Sequence, residues 1–184
     1  MRNTIRIAVV LTSAFATLAI GQDSQSKMHS ARSVGDHQFL TKAAEGGMAE
    51  VALGRLAEKS GSNTCVKQFG ERMVTDHSKA NDQAKSLAAQ KNITLPSSMN
   101  TKDESTYRSL SSKTGSDFDK AYMSDMIEDH RADIAEFRQE ANSGTDPDIK
   151  AWASKTLPTL EEHLKLAESC GKQLGVTTTG GDLR

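Results

Sequence analysis

The chain has 184 residues, with 36% hydrophobic, 26% charged and 4% aromatic side chains, a length that suits one domain. So few aromatics, with scarce β-branched runs, argue against a β-sandwich or barrel. A net charge of −1 offers no field for phosphates, so nucleic acid is not an expected partner.

Residues 1–21 read as a signal peptide. Arg2 and Arg6 precede an apolar run from Ile7 to Ile20, and Ala19-Ile20-Gly21 puts small residues where signal peptidase inspects the chain. The run falls short of the roughly 20 residues of a comfortable membrane span, and Gln22-Asp23-Ser24-Gln25 follows instead of a basic anchor. No later segment is apolar enough to cross a bilayer, so no integral insertion of the mature chain is expected. Cleavage would remove two of the 23 basic residues and none of the 24 acidic ones, leaving a net charge of −3.

Residues 22–35, rich in Ser, Gln and Lys without a hydrophobic period, read as a flexible leader, and 175–184 as a disordered tail. Between them, residues 36–174 follow a helical pattern nearly throughout. A first helix is expected from about Asp36 to Ser60, with Leu40, Ala43, Gly47, Glu50 or Val51, Gly54 and Ala57 at spacings of three and four. Gly61 stops it, and Ser62 or Asn63 caps a second helix from Thr64 to about Lys91. Its stripe is Val66, Gly70, Met73, His77, Ala80, Ala84 and Leu87. Pro96-Ser97-Ser98 marks a break, and Thr101 with Glu104 reads as the capping box of a short helix near 102–112.

A third long helix opens near Ser116 and carries Met123, Met126, His130, Ile134, Phe137 and Ala141. Asp146-Pro147 then starts a fourth, with Ile149, Trp152, Thr156, Leu160, His163, Ala167, Cys170 and Leu174, and with Pro158 expected to kink it. The fold class is thus all-α, a four-helix bundle. Two of the joints between long helices are short, while the joint between the second and third is long. That asymmetry predicts the up-down-down-up crossover of ferritin-like folds.

Export makes a disulfide between Cys65 and Cys170 the natural use of an even cysteine count, the alternative being two free, half-buried thiols. In a simple up-down-up-down bundle these positions lie at opposite ends; with the crossover they share one end, so a disulfide would imply the crossover.

Each long helix also has a polar residue on or beside its apolar stripe, near mid-length: Glu50, His77, His130 and His163. Phe69-x-x-x-Met73-Val74-x-Asp76-His77 echoes Tyr122-x-x-x-Met126-Ile127-x-Asp129-His130, and Leu160-x-Glu162-His163 is a looser echo. Neutral imidazoles with one carboxylate suit a divalent metal (iron, zinc, copper or manganese), with Asp76, Asp129 and Glu162 placed to orient imidazoles on neighbouring helices. The competing reading is a His–carboxylate network that only fixes helix register. The Glu-x-x-His motif of di-iron proteins is missing, since Val74, Ile127 and Leu160 stand three before the histidines. Glu128, Arg131, Asp133 and Lys172 read as solvated surface, and His29 and His37 as irrelevant to a site. No phosphate loop, nucleophile elbow or HExxH is found, so no catalytic residue is assigned.

Phe39-Leu40-x-x-Ala43-Ala44-x-Gly46-Gly47-x-x-Glu50, Met73-Val74-x-Asp76-His77, Phe118-Asp119-x-x-Tyr122, His130 and Leu157-Pro158-x-Leu160-x-x-His163 resemble the bacterial family catalogued as domain of unknown function 4142. The resemblance covers roughly 36–174. It implies an exported, ferritin-like protein, often labelled an outer-membrane protein, in which Glu50, His77, His130 and His163 fall on the family's Glu and His positions. It implies no reaction. No strand series suits a membrane barrel, so any membrane association is expected to be peripheral. The expected role is a periplasmic binding or stress-protective module, metal-dependent through that cluster. The alternatives are a redox or hydrolytic metalloenzyme using the same residues, and a purely structural envelope bundle.

Overall fold

The computed structural model describes residues 20–176, with side chains from residue 35 onward. The signal-peptide reading thus falls almost wholly outside the described residues, as do the last eight residues of the expected tail. Five helices follow one another: α1 (Ile20–Ser60), α2 (Thr64–Gln90), α3 (Thr101–Ser111), α4 (Gly115–Ser143) and α5 (Pro147–Gln173).

Two boundaries depart from expectation. Helix α1 begins at Ile20, so the segment read as a flexible leader is helical. It contains no proline, and once a long docked helix is nucleated, each further residue adds a hydrogen bond at little cost. Hydrophobic period reports packing, not helicity, which is why the segment looked unstructured. Helix α3 is capped by Asn100, whose side chain accepts from the Asp103 amide, rather than by the expected Thr101–Glu104 box. Helix α5 continues through Pro158.

Helix α1 packs along α2 and α4 along α5, forming two hairpins. Gly54 and Gly70 bring the first pair together so closely that a Cβ on Gly70 would lie 2.6 Å from the Gly54 carbonyl oxygen and 2.9 Å from the Ala57 Cβ. Cys65 and Cys170 form a disulfide, with Cα atoms 5.9 Å apart. It ties the start of α2 to the end of α5. Asp119, at the start of α4, accepts from the Ser62 and Asn63 amides in the α1–α2 turn, both at 2.9 Å. The start of α4 therefore lies at that same end. At the opposite end Asp36 of α1 accepts from the Thr145 and Asp146 amides of the α4–α5 turn, at 3.1 and 2.7 Å. Lys91, just past α2, pairs there with Asp146 and Asp148. Hence α2 and α4 run one way and α1 and α5 the other, with residues 91–114 crossing from end to end and carrying α3.

These clamps reveal an internal twofold. An offset of 83 relates Asp36 to Asp119, Ser62 to Thr145 and Asn63 to Asp146, and each aspartate holds the other hairpin's turn. The same offset maps Phe39 onto Tyr122 and Phe69 onto Trp152. Accordingly Phe39 packs on Trp152 at one end, with centroids 5.9 Å apart, and Tyr122 on Phe69 at the other, at 6.1 Å. Two apolar clusters result, one around Phe69, Phe118, Tyr122 and Met126 and one around Phe39, Phe137, Ile149 and Trp152. The polar residues of the stripes sit between them.

Candidate metal centre

His77, His130 and His163 come from α2, α4 and α5, all buried, with ring centroids 5.4–5.8 Å apart. One nitrogen from each lies within 4.8 Å of the others. The disulfide at first looks incompatible with this level arrangement, because His77 is 12 residues from Cys65 and His163 only seven from Cys170. Side chains lean toward the N-terminus of their own helix. In antiparallel α2 and α5 those leans are opposed, so His77 tips toward the disulfide and His163 away from it, and the rings meet.

The hydrogen bonds fix the tautomers. His130 Nδ1 lies 2.9 Å from the Met126 carbonyl oxygen, which can only accept, so Nδ1 carries the proton. His163 Nε2 lies 2.9 Å from Asp76 Oδ2. Arg72 donates to that same carboxylate, and bonds from His163 and Arg72 hold Asp76 below its ordinary value despite a desolvation cost, so it too accepts. What remains is His130 Nε2 facing His163 Nδ1 at 3.3 Å, each with its lone pair toward the other. Burial lowers the affinity of all three imidazoles for a proton: His130 falls to about 3, His77 lies well below the usual range and His163 is lowered. With those tautomers, neither neutral ring directs a proton into that gap. His77 Nε2 is buried without a hydrogen-bond partner.

Glu50 of α1 is fully buried beside them, with Oε1 3.5 Å from His130 Nδ1 and Oε2 3.8 Å from His77 Nε2. Neither oxygen has a hydrogen-bond partner. The structure nevertheless divides the expected set of four. The imidazoles form one group, and Glu50 forms a second with Asp129 and Asp133 of α4. Burial first, then the charges of Asp129 and Asp133, push the Glu50 carboxyl well above the usual carboxylate range, and Asp133 rises to about 8.

Two residues expected to orient imidazoles are placed elsewhere. Asp129 lies in the carboxylate group because it shares a face of α4 with Asp133, one turn on. Glu162 turns outward and meets Arg72 at 3.3 Å. Asp76 alone of the three reaches across to a ring, that of His163. Asp133, read as solvated surface, is drawn in toward Glu50. Charge alone hid it, whereas its spacing of four from Asp129 was available in the sequence. Arg72, which no motif singled out, stands four before Asp76 and holds that carboxylate in place.

The site is thus a three-imidazole group inside a two-hairpin helical bundle, with a carboxylate group at its flank. By family the chain belongs to the domain of unknown function DUF4142, whose model matches residues 21–170. A Streptomyces coelicolor protein of the DUF305 group, described as secreted, has a similar fold. The TM-score is 0.68 at 12% identity, covering 80% of this chain and 97% of that one. No curated protein matches the chain.

Proposed function

We propose that this chain is an exported metal-binding module in which His77, His130 and His163 hold one divalent transition-metal ion. The observation that carries the reading is the approach of His130 Nε2 and His163 Nδ1 to 3.3 Å, with the other nitrogen of each ring already engaged by an acceptor. Two ligands bound at about 2.0–2.1 Å in a tetrahedral site are separated by about 3.3–3.4 Å. Their outward N–H groups already meet a carbonyl and a carboxylate, the arrangement that orients metal-bound imidazoles. A third nitrogen, on His77, has no other use. Such a donor set suits zinc, copper or iron better than calcium or magnesium.

The space beside the rings favours holding an ion over turning over a substrate. A cavity of about 30 Å³ borders Asp76, His77, Asp133 and His163, room for about one water. A storage or protective role fits that size better than a redox or hydrolytic one. Export is supported by the charged and apolar N-terminal run and by the disulfide, which suits an oxidising compartment such as the periplasm. No described helix is long and apolar enough to cross a membrane.

Calorimetric titration of untagged, chelator-stripped protein with Zn²⁺ tests the reading. One ion per chain is expected, with binding abolished in His163→Ala and a rise in Tm on loading the wild type. Failure of stripped protein to take up Zn²⁺, Cu²⁺ or Fe²⁺ overturns it.

A further inference from the structure

Glu50 is the anomaly of this interior. It is a carboxylate with no exposed surface, and neither oxygen has a donor. A carboxyl placed so keeps its proton unless a partner brings positive charge to it. Its neighbours make matters worse, since Asp129 and Asp133 each place an oxygen within 4.8 Å of one Glu50 oxygen and of each other. The fold itself creates the encounter. Glu50 and Asp133 stand 83 residues apart, the offset of the internal twofold, and α1 packs against α4. Equivalent positions near a twofold meet, so two acids there converge on one point.

We propose that Glu50, Asp129 and Asp133 form a second cation site, beside the imidazoles but independent of them, that takes a hard divalent cation of the Mn²⁺ or Ca²⁺ type. Three carboxylates offer oxygen donors only, which is the preference of such ions and unlike that of the imidazole group. The cation supplies the positive charge that Glu50 lacks. Oxygens sharing one such ion lie about 3–3.5 Å apart, so the trio closes slightly on binding. Asp129 and Asp133 are only partly buried, so water can complete the shell. Asp125 and Asp103 add negative charge around the same place: Asp125 is raised by burial and then by Asp129, and Asp103 by burial and then by Asp129. A cation approaching from solvent is attracted to such a rim.

Electron paramagnetic resonance of free Mn²⁺ measures the site directly, using untagged, chelator-stripped full chain. One Mn²⁺ per chain is expected. Asp133→Asn and Asp129→Asn should each weaken it about tenfold or more, while His163→Ala leaves it within about threefold. That last variant separates the two sites, because it removes Zn²⁺ from the imidazoles and spares Mn²⁺ here. Circular dichroism confirms that each variant is folded, and either aspartate variant suffices if the other is not. The proposal is overturned if no Mn²⁺ binds at about millimolar concentration. It is equally overturned if Mn²⁺ is lost in His163→Ala and kept in folded Asp133→Asn or Asp129→Asn.

Discussion

Reducing the Cys65–Cys170 disulfide isolates one contribution to stability without removing an atom from the interior. The bond spans a sequence separation of 105. In the chain-entropy treatment, closing a loop of that size removes about 16 cal/mol/K from the unfolded ensemble, or about 4.8 kcal/mol at 25 °C. Domains of this size shift by about 2–4 °C per kcal/mol, so reduction should lower Tm by about 10–19 °C. The two sulfurs stay in place, which keeps packing loss out of the comparison. Thermal unfolding of oxidised and reduced wild type, followed by circular dichroism at 222 nm, gives the shift. Urea titration gives a second check, because the reduced unfolded chain is less compact and its m-value should rise. A Tm change below about 4 °C with an unchanged m-value would refute the reasoning. It would mean that the reduced chain keeps its two ends together by other contacts, even when unfolded.

Two further outcomes follow from local geometry. Glu140 is held at about 7 by burial and then by Asp36 of α1, with Asp146 of the α4–α5 turn and Lys150 of α5 also facing it, against an ordinary value of 4.5. Its folded-state proton affinity exceeds the unfolded one, so it costs nothing below about pH 4.5 and its penalty grows as pH rises to about 7. Glu140→Gln should therefore raise Tm at pH 8 and leave it nearly unchanged at pH 4; equal shifts at both would exclude a titrating carboxyl. Gly70→Ala sets a helix-propensity gain of about 1 kcal/mol against contacts of 2.6 and 2.9 Å with a backbone carbonyl and a Cβ, neither of which can swing away. Overpacking of this kind costs about 1–3 kcal/mol, so urea unfolding should show a net loss, and a more stable variant would mean that α1 and α2 can slide apart.

The helical class was legible because Leu40, Met73, Met126 and Leu160 recur at helical spacing, and all four are buried. The cysteine positions and the uneven joints carried the arrangement of ends, which the disulfide and the two aspartate clamps display. The helical state of residues 20–35 was hidden, since a helix that shows no hydrophobic period leaves no stripe to read. The internal twofold was hidden too. The visible echo relates 69–77 to 122–130, two helices that run the same way, whereas the structural repeat relates Asp36 to Asp119 and shares little more than an acid followed by a ring. The histidines announced themselves by position. The convergence of Asp133 on Glu50 did not, because it depends on how α1 meets α4, and no local pattern encodes a crossing point.

The two ends of the molecule are fastened unequally. At one, α2 and α5 are joined covalently through Cys65 and Cys170. Counting 83 residues on from Cys65 reaches Asp148, whose link at the far end is an ion pair with Lys91, and Asp148 is largely exposed to water. An exposed pair of this kind holds little against solvent and salt. The bundle is therefore built like a spring clip: riveted at the α1–α2 turn, merely latched at the α4–α5 turn. Breathing motions would start at the latched end, near Asp36 and Trp152, and would reach the imidazoles from that side.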